Sequence, residues 1–274
     1  MVRTYGIRPF RIAVLHGGPG GFGAVAGIAR SLAEFHGVIE PLQSKYSIDE
    51  LVEELKEQLL QHCICPVQLI GHSWGAWLAG IFASRYPEYV SKVILVGCGP
   101  LTSDYIAQIG ERRKANLSRE EAIEFEALIE DLNYPDTEDK DKKLSRLEQL
   151  VEAADYFSKI NLPYETLDSL PFDGAMYSSI WPEAAKLRAS GELLEIFSRI
   201  SCPITVIHGR LDPHPYDGVI TPLTESNLII CAHLLDRCGH TPWKEEYAAL
   251  EFNRILLTEI MKGLEISINS TRLI

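Results

Sequence analysis

Pro66-Val67-Gln68-Leu69-Ile70-Gly71-His72-Ser73-Trp74-Gly75 is the stretch on which the reading of this 274-residue chain turns. An apolar run with β character ends at Gly71. Trp74-Gly75-Ala76-Trp77-Leu78-Ala79-Gly80-Ile81-Phe82 then continues without a strand-like alternation and is predicted to be a helix that stops near Pro87. A serine between a buried strand and a helix, flanked by glycines in the pattern G-x-S-x-G, sits on a turn too tight for side chains at the flanking positions. Such a turn aims the serine hydroxyl outward and brings the backbone N–H of the next residue, Trp74, beside the atom being attacked. Ser73 is therefore the candidate nucleophile and the Trp74 N–H a candidate oxyanion donor.

Working outward, strand-like and helical patterns alternate. Arg11 to Gly17 (RIAVLHG) reads as a buried strand, residues 22–37 as a helix, Val38 to Ser44 as a weaker strand, and Ser47 to Cys63 as a strong helix. In the last of these Ser47 is the N-cap with Glu50 three residues on, and Leu51, Leu55 and Leu59 make one apolar face. Val90 to Gly99 is another buried strand. From about Pro100 to Ser190 only helical periodicity and dense charge are found, and strand patterns return at residues 202–209 and 227–236. A final helix spans residues 243–264, and residues 265–274 are ambiguous between tail and strand. This alternation predicts an α/β fold with a mostly parallel, doubly wound sheet. Its core comprises residues 1–99 and 191–274, and residues 100–190 form an inserted helical lid over the strand ends, where ligands bind in such sheets. About ten residues precede the first core strand, so the N-terminus is read as shortened, without leading strands.

The loop after the first core strand, His16-Gly17-Gly18-Pro19-Gly20, supplies a second candidate oxyanion donor, the Gly18 N–H, because glycine lets main chain approach a reacting carbonyl. His16 is assigned a structural role in that loop. A serine hydroxyl needs a base. Of eight histidines, His240 follows a strand on a short loop before the last helix, at the sheet edge where Ser73 opens. His214 is its competitor for a site position. His36, His62, His72, His208 and His233 are read as capping, surface or packing residues, with the His72 side chain pointing away from the nucleophile. The carboxylate that orients the base is Asp212, just beyond a buried strand, with Asp217 and Asp236 as alternatives.

These elements resemble those of the α/β-hydrolase superfamily over nearly the whole chain, and the HGGPG loop is similar to that of prolyl aminopeptidase-like members. The resemblance implies a cleft that hydrolyses esters, amides or N-terminal peptide bonds beneath a helical lid, with Ser73, Asp212 and His240 as a triad. It also implies acidic lid residues where a free amino terminus is held, for which Glu120, Glu121, Glu124 and Glu126 are available. Trp181 and Tyr177 could line an acyl pocket. Two relatives of this fold that use an aspartate nucleophile, the haloalkane dehalogenases and epoxide hydrolases, are excluded by Ser73. Three functions follow: a hydrolase of small esters or amides, an aminopeptidase acting on short peptides, and a binding protein that kept the fold.

Composition narrows the partners. A formal charge of −12 disfavours nucleic acid, and no apolar run is long enough to span a bilayer, so a small-molecule substrate and a cytoplasmic setting are expected. The six cysteines form no C-x-x-C pair and show no metal spacing. They are read as mostly buried free thiols, with Cys238 close to the base. Acyl transfer of this kind calls for no cofactor.

Overall fold

The computed structural model describes residues 1–134, 136–160, 170–226 and 228–271, with side chains described as far as residue 264. Seven strands form one sheet in the order β1-β3-β2-β4-β5-β6-β7. They are β1 (Val2–Tyr5), β2 (Phe10–Leu15), β3 (Gly37–Pro41), β4 (Val67–His72), β5 (Val90–Val96), β6 (Ile204–Gly209) and β7 (Ile230–Leu235). All neighbours are parallel except β1, which pairs antiparallel with β3, Val2 opposite Pro41 and Tyr5 opposite Val38. The sheet thus carries a leading edge strand that the sequence reading leaves out. Its alternation over four residues, Val2-Arg3-Thr4-Tyr5, is too short to register as a pattern.

Helices α1 (Ala26–Ala33), α2 (Ile48–His62), α3 (Trp74–Arg85), α9 (Asp217–Glu225) and α10 (Ala249–Thr271) connect or follow the strands. β2, β4 and β5 are buried on both sides, as strands sandwiched between helix layers must be. One core, including Leu69, Trp77, Phe82, Leu95 and Phe197, lies under α2 and α3. The other, including Ile12, Ile70, Ile94, Phe252 and Leu256, lies under α1 and α10. Ser47 caps α2 as the sequence predicts, its hydroxyl accepting the Glu50 N–H at 3.3 Å. α1 begins only at Ala26, because Gly23, at φ +82°, turns the chain first. α10 begins at Ala249, after a short turn at Pro242–Lys244, and continues to Thr271, so residues 265–271 are helix rather than tail or strand. Residues 272–274 lie outside the described residues.

Between β5 and β6 the described residues form the helices α4 (Ile106–Ala115), α5 (Arg119–Asn133), α6 (Lys140–Asp155), α7 (Gly174–Ser190) and α8 (Glu192–Ser198) and their connections. Ser118 caps α5 in a full capping box with Glu121. Phe125, Leu132, Leu144, Leu147 and Leu150 bury their side chains in a small core of their own between α5 and α6. Asn227, the first residue of the run read as the last strand, lies outside the described residues, and β7 itself is a partly exposed edge. Cys231 on it is consequently exposed, not buried. Cys98 and Cys238 are buried, and Cys202 is half-buried. Among the described residues no helix is long and apolar enough to cross a membrane.

Candidate active site

Ser73 joins β4 to α3 with φ +53° and ψ −118°, a conformation that L-residues rarely hold. Its surroundings impose it. A Cβ on Gly71 would come within 2.2 Å of the Gly75 carbonyl oxygen, and one on Gly75 within 2.4 Å of the Leu15 carbonyl oxygen, so neither flank tolerates a side chain. The Ser73 N–H donates to the Val96 carbonyl at 3.0 Å, tying the turn to the end of β5. Its side chain is half-buried. As the first residue of α3, Trp74 has an N–H with no partner inside the helix. Its indole is buried and donates to Gln43 at 3.0 Å, which fixes the helix start.

The HGGPG loop lies against this turn. A Cβ on Gly17 would sit 3.0 Å from the Ser73 Cβ. Gly18 has φ +61°, and the Gly21 N–H donates to its carbonyl at 2.9 Å, leaving the loop folded tightly on itself. His16 is buried and its Nδ1 donates to the Gly17 carbonyl at 3.0 Å, the structural role the sequence suggests. Burial lowers its pKa to about 4, against loop hydrogen bonds that raise it, so the ring is neutral.

Asp212 is buried and shared by three imidazoles. Its Oδ2 accepts from His240 Nδ1 at 2.8 Å, and its Oδ1 accepts from both His214 Nδ1 and the His214 N–H at 2.8 Å. His208 Nε2 approaches Oδ2 at 3.4 Å while donating to the His214 carbonyl at 2.8 Å. Burial alone would raise the Asp212 carboxyl. The charges of His240, His214 and His208, with the His214 hydrogen bond, outweigh it and hold the group well below the usual carboxylate range. Conversely, burial would lower His240, but the Asp212 charge and hydrogen bond win and raise it. Since a carboxylate only accepts, Nδ1 of His240 carries the proton and Nε2 is left as the unprotonated nitrogen.

Ser73 and His240 lie against adjacent residues at the end of β5. Val96 holds the Ser73 N–H, and a Cβ on the next residue, Gly97, would lie 3.1 Å from His240 Nδ1. The His72 side chain lies against Trp243 and the loop of His240. Its Nε2 donates to the His240 carbonyl at 3.1 Å, and its ring lies 4.7 Å from that of His240. His214 is stacked on His240 at 4.4 Å between ring centroids. Asp217 and Asp236, the alternatives to Asp212, lie at the start of α9 and in an exposed pair with Arg210. Trp181 is stacked between Trp77, at 6.0 Å, and Tyr177, at 6.1 Å.

The helical segment contributes groups that the sequence reading misses. Asp155, the last residue of α6, accepts two hydrogen bonds from Arg113, at 2.8 and 2.6 Å, and its carbonyl accepts the His240 N–H at 2.8 Å. Glu245 is buried and accepts the N–H groups of Gly239, Phe157 and Ser158, joining the loop of His240 to the segment above it. The Asp173 N–H donates to the Gly20 carbonyl at 2.9 Å. Glu148 has no hydrogen bond or ion pair among the described residues. One of its carboxylate oxygens lies 3.5 Å from where a Gly18 Cβ would be, and burial raises its pKa to about 7. Glu148 and Asp155 fall in the charge-dense helical run KDKKLSRLEQLVEAAD, and Glu245 in the stretch read as the start of the last helix. The expected acidic residues are elsewhere: Glu124 pairs with Arg146, Glu126 with Lys114, Glu121 closes the α5 capping box, and Glu120 is exposed in its first turn.

The comparisons with known proteins agree with this architecture. The family model described as alpha/beta hydrolase fold matches residues 11–214, which contain Ser73 and Asp212. Among curated proteins, the 2-hydroxy-6-oxononadienedioate/2-hydroxy-6-oxononatrienedioate hydrolase of Escherichia coli is 24% identical over 212 residues, 74% of this chain. The chain spans 65% of the length of that relative. Among solved structures, VinJ superposes with a TM-score of 0.68 at 17% identity, over 95% of this chain and 94% of its own. The proline iminopeptidase of Mycobacterium smegmatis does so with 0.62 at 17%, over 96% and 94%. At such identities the structures speak for the fold, and the family match extends over most of the chain: it belongs to the α/β-hydrolase fold family.

Proposed function

We propose that the chain is a serine hydrolase that cleaves a small carboxylic ester or amide through an acyl-enzyme on Ser73. The observation that carries this reading is the His240–Asp212 pair at 2.8 Å, held on the same strand end as the strained serine turn. Ser73 Oγ attacks the substrate carbonyl carbon while His240 Nε2 takes its proton. The oxyanion is met by the N–H groups of Gly18 and Trp74. As the carbon–leaving-group bond breaks, His240 returns the proton to the leaving group. Water then attacks the acyl carbon, its proton passes to His240, and the bond to Oγ breaks with that proton returned to Ser73. Residues 100–190 act as a lid, clasped to the catalytic loops through Asp155, Asp173 and Glu245, and the Tyr177–Trp181–Trp77 stack provides an apolar wall for the acyl group. Incubation with a fluorophosphonate should label Ser73, and p-nitrophenyl acetate should be turned over. Ser73→Ala should lose both. An unlabelled wild-type serine would instead make the chain a non-catalytic binder.

One observation favours a second reading, a prolyl-type aminopeptidase. Glu148 places an unpaired carboxylate beside Gly18, where it could hold a substrate ammonium. Turnover of proline p-nitroanilide in preference to the acetate ester, with KM raised by Glu148→Gln, would select it.

A further inference from the structure

Away from that cleft, the outer edge of the sheet gathers three different metal-binding side chains. Cys231 and His233 are two apart on β7 and so lie on one face of the strand. α10 crosses that face with Glu259. Cys231 Sγ lies 3.4 Å from His233 Nε2, His233 Nε2 lies 3.6 Å from Glu259 Oε1, and Cys231 Sγ lies 4.0 Å from the same oxygen. A zinc ion bound at about 2.3 Å to sulfur and about 2.0–2.2 Å to nitrogen and oxygen holds its ligand atoms about 3.3–3.7 Å apart in a tetrahedron. Two edges of such a tetrahedron are already in place, and the third closes with a small movement of the exposed cysteine.

We propose that Cys231, His233 and Glu259 form a zinc site that staples the edge strand β7 to α10. The thiolate–imidazole–carboxylate set suits zinc or cobalt rather than magnesium or calcium, which take oxygen ligands. The carboxylate is oriented from behind: its other oxygen accepts from buried Lys92 Nζ at 2.6 Å and from the Thr205 hydroxyl at 3.0 Å. Lys262 Nζ sits 2.7 Å from Oε1, on the oxygen the metal needs. Its side chain is 58% exposed, so it can swing into solvent when the ion arrives. Binding transfers the Cys231 thiol proton to solvent as the sulfur–metal bond forms, and water completes the fourth position. The site lies outside the catalytic cleft, so it stands whether or not the proposed hydrolysis does.

Cobalt(II) titration of the full chain tests this. One equivalent should produce a near-ultraviolet thiolate-to-cobalt charge-transfer band, which zinc then abolishes. Cys231→Ser should remove the band, and His233→Ala should weaken binding by more than about tenfold. Lys262→Gln should tighten it, because a competing cation is gone. The second group of facing donors, Asp155, His214 and His240, contains no sulfur, so metal bound there gives no such band. No band in the wild type, a band that survives Cys231→Ser, or weaker binding in Lys262→Gln would overturn the proposal.

Discussion

Asp212 accepts hydrogen bonds from two imidazole rings, and a third ring, that of His208, approaches within 3.4 Å. His240 takes one carboxylate oxygen through Nδ1. His214 takes the other and stacks on the His240 ring, so it acts as a positioning residue for base and carboxylate together. Asp212→Asn should cost about 10⁴-fold in kcat, since the amide offers Nδ1 the wrong tautomer. His214→Ala should cost far less, about tenfold, because the His240–Asp212 bond survives it and only its restraint is lost. The acid limb of kcat/KM should lie above pH 6.5, because Asp212 holds the His240 proton more tightly than water does. Glu148, near 7, ionises in the same window. Measuring the profile in Glu148→Gln separates them: a limb that stays belongs to His240, and one that vanishes belongs to the carboxyl.

At the scale of elements, β5 contains a lysine in an otherwise apolar run. Lys92 is buried, and its ammonium donates to the Glu259 carboxylate at 2.6 Å and to the Glu259 carbonyl at 2.8 Å, fixing α10 across the back of the sheet. Burial without a partner would be prohibitive. Lys92→Ala leaves the carboxylate with Thr205 and Lys262 as its partners and should cost about 1–3 kcal/mol, read as a fall in denaturation midpoint. Replacing both members with Met and Leu should recover much of that loss. The strand itself is legible from VSKVILV, but the partner of its lysine is not, since it lies 167 residues away. The same contrast holds at the candidate site. Ser73 and Asp212 follow the buried strands β4 and β6, and His240 follows the edge strand β7 on a short loop, so local pattern places them at one end of the sheet. Asp155 and Glu148 reach that end only through the packing of α6, and Glu245 meets the helical segment only through its bonds to Phe157 and Ser158. A carboxylate in a charged helix looks the same in sequence whether it faces water or a cleft, and β1 is too short to announce itself.

Over the whole molecule, the fold buries histidines in opposite protonation states, and acid stability follows from the balance. His16 and His214 are lowered to about 4, mainly by burial; His208 is lowered for the same reason, and His72 lies well below its ordinary value. Each must stay neutral in the folded chain while the unfolded chain takes up a proton below about 6.5. Only His240 is raised; its contribution is present below 6.5 and is lost as pH rises through its higher folded value. Asp212 adds stability above the ordinary carboxylate pKa and keeps it until pH falls through its depressed one. With these four rings and the half-buried His36, which burial also lowers, against one, stability should fall as pH drops from 7 towards 4, and His16 alone accounts for about 3 kcal/mol at the lower end. The net charge of −12 works the other way, because acid relieves repulsion among surface carboxylates. That repulsion is long-range and screened at about 3 Å in 1 M salt, whereas the buried rings are shielded from the ions. Thermal melts across this pH range in 1 M salt should therefore show the full decline. His16→Gln, which keeps a polar group in the loop but cannot titrate, should flatten it, and an unchanged slope in that variant would remove His16 from the balance.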